Sequence, residues 1–287
     1  MSPITTIIFV RHAQSLHPFS DEAMRPLTEE GLQDRKLVVE TLKDRHIDAF
    51  LCSTYKRSIQ TIQTTADLFG MEIQTDERFR ERTCGIGGAQ VRAKRWEDFS
   101  FAEEEGECLQ SVQNRNIEAL KEVLQNYAGK TVVIGTHGTA LGTILNYYNP
   151  KFGLEDANRI AEWMPYIVEM TFDGDKYLGV RELAHIDKEY QKIDFSEITA
   201  CGEFCTRCEK KKDGRCPGCI AADGRVPEWA ESGRCKIHAC TREHGVQFCG
   251  LCKEFPCERI PELMPWNKNA VSHHTYLKNE FKKQFRD

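Results

Sequence analysis

"TTIIFVRHAQS", Thr5 to Ser15, joins an apolar run directly to two basic residues. The β-branched and aromatic residues of Thr5–Val10 predict a strand buried on both faces. Arg11 and His12 follow at once, where burying a charge or an imidazole is costly without a partner or a task. An Arg–His pair past a strand can also be a solvated turn. The rest of the chain decides between the two.

Two further apolar runs read as strands, Ala49–Ser53 and Thr131–Thr136, with a short one at "MEIQT". Helical patterns lie between them. "LTEEGLQDRKLVVETLKDR" has Thr28 as its expected N-cap. "SIQTIQTTADLFG" ends at Gly70, and "CLQSVQNRNIEALKEVLQNYAGK" runs to Gly129. "YIVEMTF" and "YLGVREL", joined by "DGD", predict a hairpin at the sheet edge. Alternating strands and helices imply an α/β three-layer sandwich with a mostly parallel sheet over residues 1–185. The polar stretch 186–200 reads as a linker, and 201–287 as a second, cysteine-rich domain.

In an open α/β sheet, ligands bind beyond the carboxyl ends of the strands. Arg11 and His12 follow the first strand, Arg57 follows the second, and His137 and Gly138 follow "TVVIGT" at the start of a helix. Two arginines, two histidines and a helix N-terminus on one edge would form a pocket for a phosphoryl dianion. A neutral imidazole can attack phosphorus, which makes His12 the candidate nucleophile. Glu81 in "FRERTCG" is the candidate proton donor for a leaving oxygen.

At these residues the chain resembles the histidine phosphatase superfamily, in its phosphoglycerate mutase-like branch. The resemblance rests on "RHAQS", "PLTEEG", "STYKRSIQT", "FRERTCG", "EGECLQSVQNR" and "GTHGTA", in the family's order over about residues 1–185. It implies that His12 becomes a transient phosphohistidine, and that Arg11, Arg57 and His137 clamp the phosphoryl oxygens. Glu81 would protonate the leaving group and then activate water, while Ser15 and the Gly138 backbone line the pocket. No metal or other cofactor is expected in this chemistry.

Some residues depart from the family pattern. Ala13 replaces the usual Gly, and Arg25 stands where a small or acidic residue is more usual. Arg25 either adds charge at the mouth or faces solvent. The sequence after Glu81 lacks the usual aromatic continuation. His17, His46 and His185 read as surface or packing histidines, and Cys84 as a small bystander. In "VRAKRWEDF", Arg92, Lys94 and Arg95 either attract an anionic substrate or form a solvated helix face.

The chain has 287 residues, 40% hydrophobic and 29% charged, as expected of a globular protein. Its net charge of −5 combines −9 before Ile198 with +4 after it, too weakly basic to argue for nucleic acid. No apolar run is long enough for a membrane helix. No export signal precedes the first strand, so a cytoplasmic location is expected.

Only Cys52, Cys84 and Cys108 precede residue 200, whereas ten cysteines lie between Cys201 and Cys257. In a reducing compartment such a cluster suggests metal ligation over disulfides. The expected ligands are Cys201, Cys205, Cys208, Cys216, Cys219, Cys235, Cys240, Cys249, Cys252 and Cys257, with His238, His244, His273 and His274 as available replacements. Three C-x-x-C pairs suit zinc knuckles that staple a small domain. An iron–sulfur cluster is the alternative, because "CGEFCTRC" has C-x3-C-x2-C spacing. The segment also resembles an uncharacterised family of cysteine-rich domains with C-G-x-x-C-x-x-C, C-P-G-C and F-P-C elements, which implies metal binding and, by itself, nothing sharper.

The main expectation is a phosphatase acting on a small phosphorylated substrate, its cysteine module stabilising the chain or docking a protein partner. The rivals are phosphoglycerate mutase-type transfer and a non-catalytic phosphate sensor. The short span between Gly85 and "EGECLQS" favours hydrolysis, since mutases usually insert more chain to shield the phosphoenzyme.

Overall fold

The computed structural model describes residues 3–17, 21–85, 91–188, 193–227, 231 and 233–285. The chain divides into two compact units, with the main boundary after Gln191.

Among the described residues, the first unit is built on six strands: β1 (Ile4–Arg11), β2 (Ala49–Cys52), β3 (Ile73–Thr75), β4 (Thr131–Thr136), β5 (Trp163–Asp173) and β6 (Lys176–Asp187). Their order is β3-β2-β4-β1-β5-β6. β1 pairs in parallel with β4, as β2 does with β4 and β3, whereas β5 is antiparallel to both β1 and β6. The sheet is therefore mixed. Its parallel part carries the crossover helices, and the hairpin closes one edge through β6, as the "DGD" turn suggested.

The helices described in this unit are α1 (Glu29–Asp34), α2 (Lys36–Leu42), α3 (Lys56–Leu68), α4 (Arg92–Glu97), α5 (Leu109–Asn126), α6 (Gly138–Tyr148) and α7 (Leu154–Ala161). The alternation of β1 builds three layers. Ile7 and Phe9 pack with Leu120, Leu141, Ile144 and Ile160 of α5, α6 and α7. Ile8 and Val10 pack on the other face with Val38, Leu42, Ile62 and Ala66 of α2 and α3. Each fully buried Ile, Val or Phe contributes about 1.5–3 kcal/mol, so the strand beneath Arg11 and His12 is firmly held.

The first helical stretch is broken at Arg35, whose Nε and Nη1 donate to the carbonyls of Leu32 and Gln60. Thr28 caps α1 by accepting the Gly31 N–H at 2.9 Å. Within 186–200, β6 runs on to Asp187, while Ile193, Phe195 and Ile198 are buried in the second unit's core. Three apolar residues among polar neighbours are enough to anchor that segment, which the absence of periodicity had made look like a linker.

The second unit contains α8 (Glu209–Lys212), α9 (Lys236–Glu243), α10 (Ile260–Leu263) and α11 (Ala270–Phe285). One of its clusters joins Ile237, Cys249, Phe255, Ile260, Leu263 and Met264, flanked by Cys201, Cys235, Cys240, Cys252 and Cys257. A second cluster joins Phe195, Phe204, Phe248 and Leu277. Among the described residues, no helix is long and apolar enough to cross a membrane.

Candidate active site

Parallel pairing of β1 with β4 sets their carboxyl ends side by side. The His12 N–H donates to the Thr136 carbonyl at 3.1 Å, and the Ala13 N–H to Thr61 Oγ1 at 3.0 Å. The turn after β1 is thus tied to β4 and to α3, the helix that carries Arg57. A Cβ on Gly31 would lie 2.1 Å from the Gln14 carbonyl oxygen, so the Gly of "PLTEEG" lets α1 approach this turn.

The His12 imidazole is 5.3 Å from that of His137, centroid to centroid. His12 Nδ1 lies 2.7 Å from the Ala13 carbonyl oxygen. A carbonyl can only accept, so Nδ1 carries the proton and Nε2 keeps its lone pair. Burial, then the charges of Arg57 and Arg11, hold His12 well below its ordinary value of 6.5. Burial, then Arg57, do the same to His137. His137 Nε2 lies 2.7 Å from Ser53 Oγ, and Tyr55 packs edge-on at 5.2 Å. Its Nδ1 is buried without a hydrogen-bond partner.

Arg57 is fully buried. Its Nη1 donates to the Glu22 carbonyl at 2.6 Å, whereas Nε and Nη2 have no partner. Burial, then the nearby Arg25 charge, bring this guanidinium down to about 10. Arg11 donates from Nη1 to the carbonyls of Ile160 and Trp163, and its buried Nε has no partner. A Cβ on Gly138 would stand 3.1 Å from that Nε, so the glycine gives the guanidinium its place beside the first turn of α6.

The Glu81 carboxylate accepts the Arg82 N–H at 2.8 Å and the Thr139 N–H at 3.1 Å. The second bond sets it at the N-terminus of α6. Five of the expected residues, Arg11, His12, Arg57, Glu81 and His137, therefore share one edge of the sheet with Gly138. Ser15 is buried, its Oγ is unpartnered, and its backbone bridges to Leu27.

Unpartnered guanidinium nitrogens around a neutral imidazole suit an incoming dianion. Inorganic phosphate at one hundred times its dissociation constant should stabilise the fold by about 2.7 kcal/mol, read as a higher melting temperature. Both imidazoles are held neutral in the folded chain, so the unfolded chain binds more protons below about pH 6.5. Stability present above that pH is lost as the solution is acidified through it. In phosphate-free buffer the melting temperature should fall from pH 7.5 to 5.5, and fall less in His12→Gln. An equal fall in both proteins would remove His12 from the balance.

The sequence reading left Arg25 and Arg95 open between two placements and did not single out Glu103. Arg25 is buried and held at 3.0 Å by Glu22, and its charge acts on His12, Arg57 and His137. Its unusual place in "RPLTEEG" was the available signal, and the structure resolves it away from solvent. Glu103 Oε1 accepts from Arg82 Nη2 at 2.7 Å, Arg95 Nη1 at 2.9 Å and the Gly85 N–H at 3.1 Å. Arg95 is thus a buried partner of Glu103, not part of a solvated face. Arg92 Nη2 donates to the Ala157 carbonyl, and Lys94 lies 4.0 Å from the Phe101 ring centroid. His46 is exposed, and His185 stacks on Trp163 at 3.8 Å.

In the second unit none of the cysteines is disulfide-bonded. The Cys219 N–H donates to Cys205 Sγ at 3.1 Å and the Gly218 N–H to Cys216 Sγ at 3.4 Å. Cys240, Cys249, Cys252 and Cys257 line one small cavity with His244. Burial first, with neighbouring thiols adding, pushes Cys219 and Cys249 up to about 12. His238 bonds Asp223, His244 bonds the Cys240 carbonyl, His273 bonds the Gly202 carbonyl and His274 accepts the Gly250 N–H, while His238 Nδ1 and His274 Nε2 are buried without a hydrogen-bond partner. Among the described residues, no group of three or more His, Cys, Asp or Glu side chains is arranged to hold a metal ion.

Residues 7–181 match the family described as the histidine phosphatase superfamily, branch 1. Residues 197–262 match a family described as a protein of unknown function, DUF3795. A probable phosphoglycerate mutase, GpmB, from Yersinia pestis is 26% identical over 156 residues, covering 49% of this chain and 73% of the relative. Among solved structures, mycobacterial glucosyl-3-phosphoglycerate phosphatase aligns with a TM-score of 0.50 at 18% identity, over 65% of this chain and all of that one. A mutant phosphoserine phosphatase of Entamoeba histolytica, in complex with phosphoserine, aligns with a TM-score of 0.51 at 18% identity, over 63% and 96% of the two chains. At these identities the likeness of the solved structures is one of fold.

Proposed function

Because the chain belongs to the histidine phosphatase superfamily, we propose that it hydrolyses a small phosphate monoester through a phosphohistidine on His12. The observation that carries this reading is the neutral His12 imidazole, whose Nδ1–H is committed to Ala13 and whose Nε2 is left with its lone pair. Nε2 attacks phosphorus as the ester P–O bond breaks. Arg11, Arg57, His137 and the first turn of α6 at Gly138 take up the phosphoryl oxygens, with Ser15 lining the turn beneath. Glu81 gives a proton to the leaving oxygen. It then takes one from water, which attacks phosphorus and releases inorganic phosphate and His12. Positioning and fixed positive charge supply the catalysis, as phosphoryl transfer requires.

Mutase-type transfer is the second reading, favoured by the name of the Yersinia relative. The two separate on one measurement with labelled 3-phosphoglycerate and p-nitrophenyl phosphate. We expect release of inorganic phosphate, faster from p-nitrophenyl phosphate than from 3-phosphoglycerate. Label moving to 2-phosphoglycerate without release would establish transfer instead.

We assign the cysteine module a structural metal, zinc before an iron–sulfur cluster, with the ten cysteines from Cys201 to Cys257 as its ligand pool. The soft thiolates and the N–H donors on Cys205 and Cys216 suit such a site. We place the protein in the cytoplasm on the same cysteine usage, with the module free to dock a protein partner. Elemental analysis should find about one to two zinc per chain, from four thiolates per ion. Chelation should lower thermal stability while leaving aryl-phosphate turnover intact, because His12, Arg57, Glu81 and His137 all lie in the first unit. Iron with visible absorption would replace zinc by a cluster. Loss of turnover on chelation would tie the module to the active site.

A further inference from the structure

We propose that Glu22 is a specificity-determining residue that disfavours phosphate esters with negatively charged leaving groups, so that the substrate class has a neutral or cationic one. The proposal rests on the phosphatase reading above and names its substrate class.

The Glu22 carboxylate divides between two arginines of the pocket. Oε1 is 3.0 Å from Arg25 Nη1, and Oε2 is 3.5 Å from Arg57 Nη1. The Glu22 main-chain carbonyl accepts from the same Arg57 nitrogen. An incoming phosphoryl group must therefore meet Arg57 at Nε and Nη2, with the Glu22 carboxylate one guanidinium away. Arg25 and Arg57 are buried, whereas the Glu22 side chain is 48% exposed. Glu81 is partly exposed and, like Glu22, acts on the charge of Arg57. Glu22 thus sets an accessible carboxylate beside Arg57, with Glu81, the proton donor, a second acid nearby.

A charge count sharpens the point. Arg11, Arg25 and Arg57 bring three positive charges to a pocket of neutral imidazoles. Glu22 offsets one, and a bound phosphoryl dianion offsets the other two. Four further arginines are engaged with other carboxylates: Arg82 and Arg95 share Glu103, and Arg80 and Arg115 share Glu107. A carboxylate on the leaving group would add a further negative charge near that of Glu22. Replacing Glu22 by Gln keeps its shape and removes its negative charge from beside Arg25 and Arg57.

The test uses the full chain and three esters with two-carbon leaving groups: 2-phosphoglycolate, 2-hydroxyethyl phosphate and phosphoethanolamine, bearing leaving-group charges of −1, 0 and +1. In the wild type, kcat/KM should rise along that series. In Glu22→Gln the ratio of phosphoglycolate to hydroxyethyl phosphate should increase about three- to tenfold, the size of one unit-charge interaction across a partly solvated rim. Glu22→Asp, which keeps the charge, should retain the wild-type order. An unchanged ratio in Glu22→Gln, or an equal loss for all three esters, would overturn the proposal and leave Glu22 a positioning residue for Arg25 and Arg57. Absence of turnover with every ester would overturn the phosphatase reading instead. Calorimetric dissociation constants for the same three compounds would then decide the Glu22 assignment by the same ratio.

Discussion

His12→Ala, exposed briefly to a labelled phosphate ester, should acquire no covalent label, while the wild-type chain acquires one that acid removes and alkali does not. That stability pattern marks a phosphorus–nitrogen bond. Turnover should fall by roughly a thousandfold or more, because removing the nucleophile leaves only binding and electrostatic stabilisation to help water attack. The expectation rests on the tautomer: with Nδ1–H given to the Ala13 carbonyl, Nε2 is the atom free to bond phosphorus. Burial, then the neighbouring guanidinium charges, keep the imidazole neutral, so nucleophile is available without prior loss of a proton. Acid-labile label persisting on His12→Ala would place the nucleophile elsewhere, with His137 next in line.

Glu81→Gln should separate esters by their leaving groups. An alkyl phosphate, whose alkoxide needs a proton to depart, should lose about 10²–10⁴ in rate. p-Nitrophenyl phosphate, whose phenolate leaves unaided, should lose little. The two N–H groups that hold the Glu81 carboxylate, from Arg82 and Thr139, fix it at the start of α6, beside Gly138. Glutamine retains an acceptor for one of them, so the variant removes the transferable proton with little change of shape. Equal losses for both esters would point to a different donor.

The order of strands and helices and the identity of the reacting residues could be read along the chain because both are local. A run such as Thr5–Val10 is buried on both faces by its own composition, and a residue placed just after a parallel strand is carried to the ligand-binding edge. Arg11, His12, Arg57 and His137 all have this relation to a strand end. The same reasoning found the β5–β6 hairpin but not the antiparallel pairing of β5 with β1 that makes the sheet mixed, since strand direction depends on which neighbour the hairpin finds.

What only the tertiary structure decided is how the charges are shared. Arg25 could have faced solvent; packing buries it beside Glu22, where its charge acts on both His12 and His137. Arg95 could have stayed on a solvated helix face; Glu103 holds it inside with Arg82. Ile193, Phe195 and Ile198 could have been a tether; α11 and Phe248 give them a core. A residue's type and its spacing to near neighbours determine the element it forms and the chemistry it can perform. Whether its charge is solvated, paired or free for a ligand depends on atoms brought together from distant positions, because the energy of a charge is set by its surroundings.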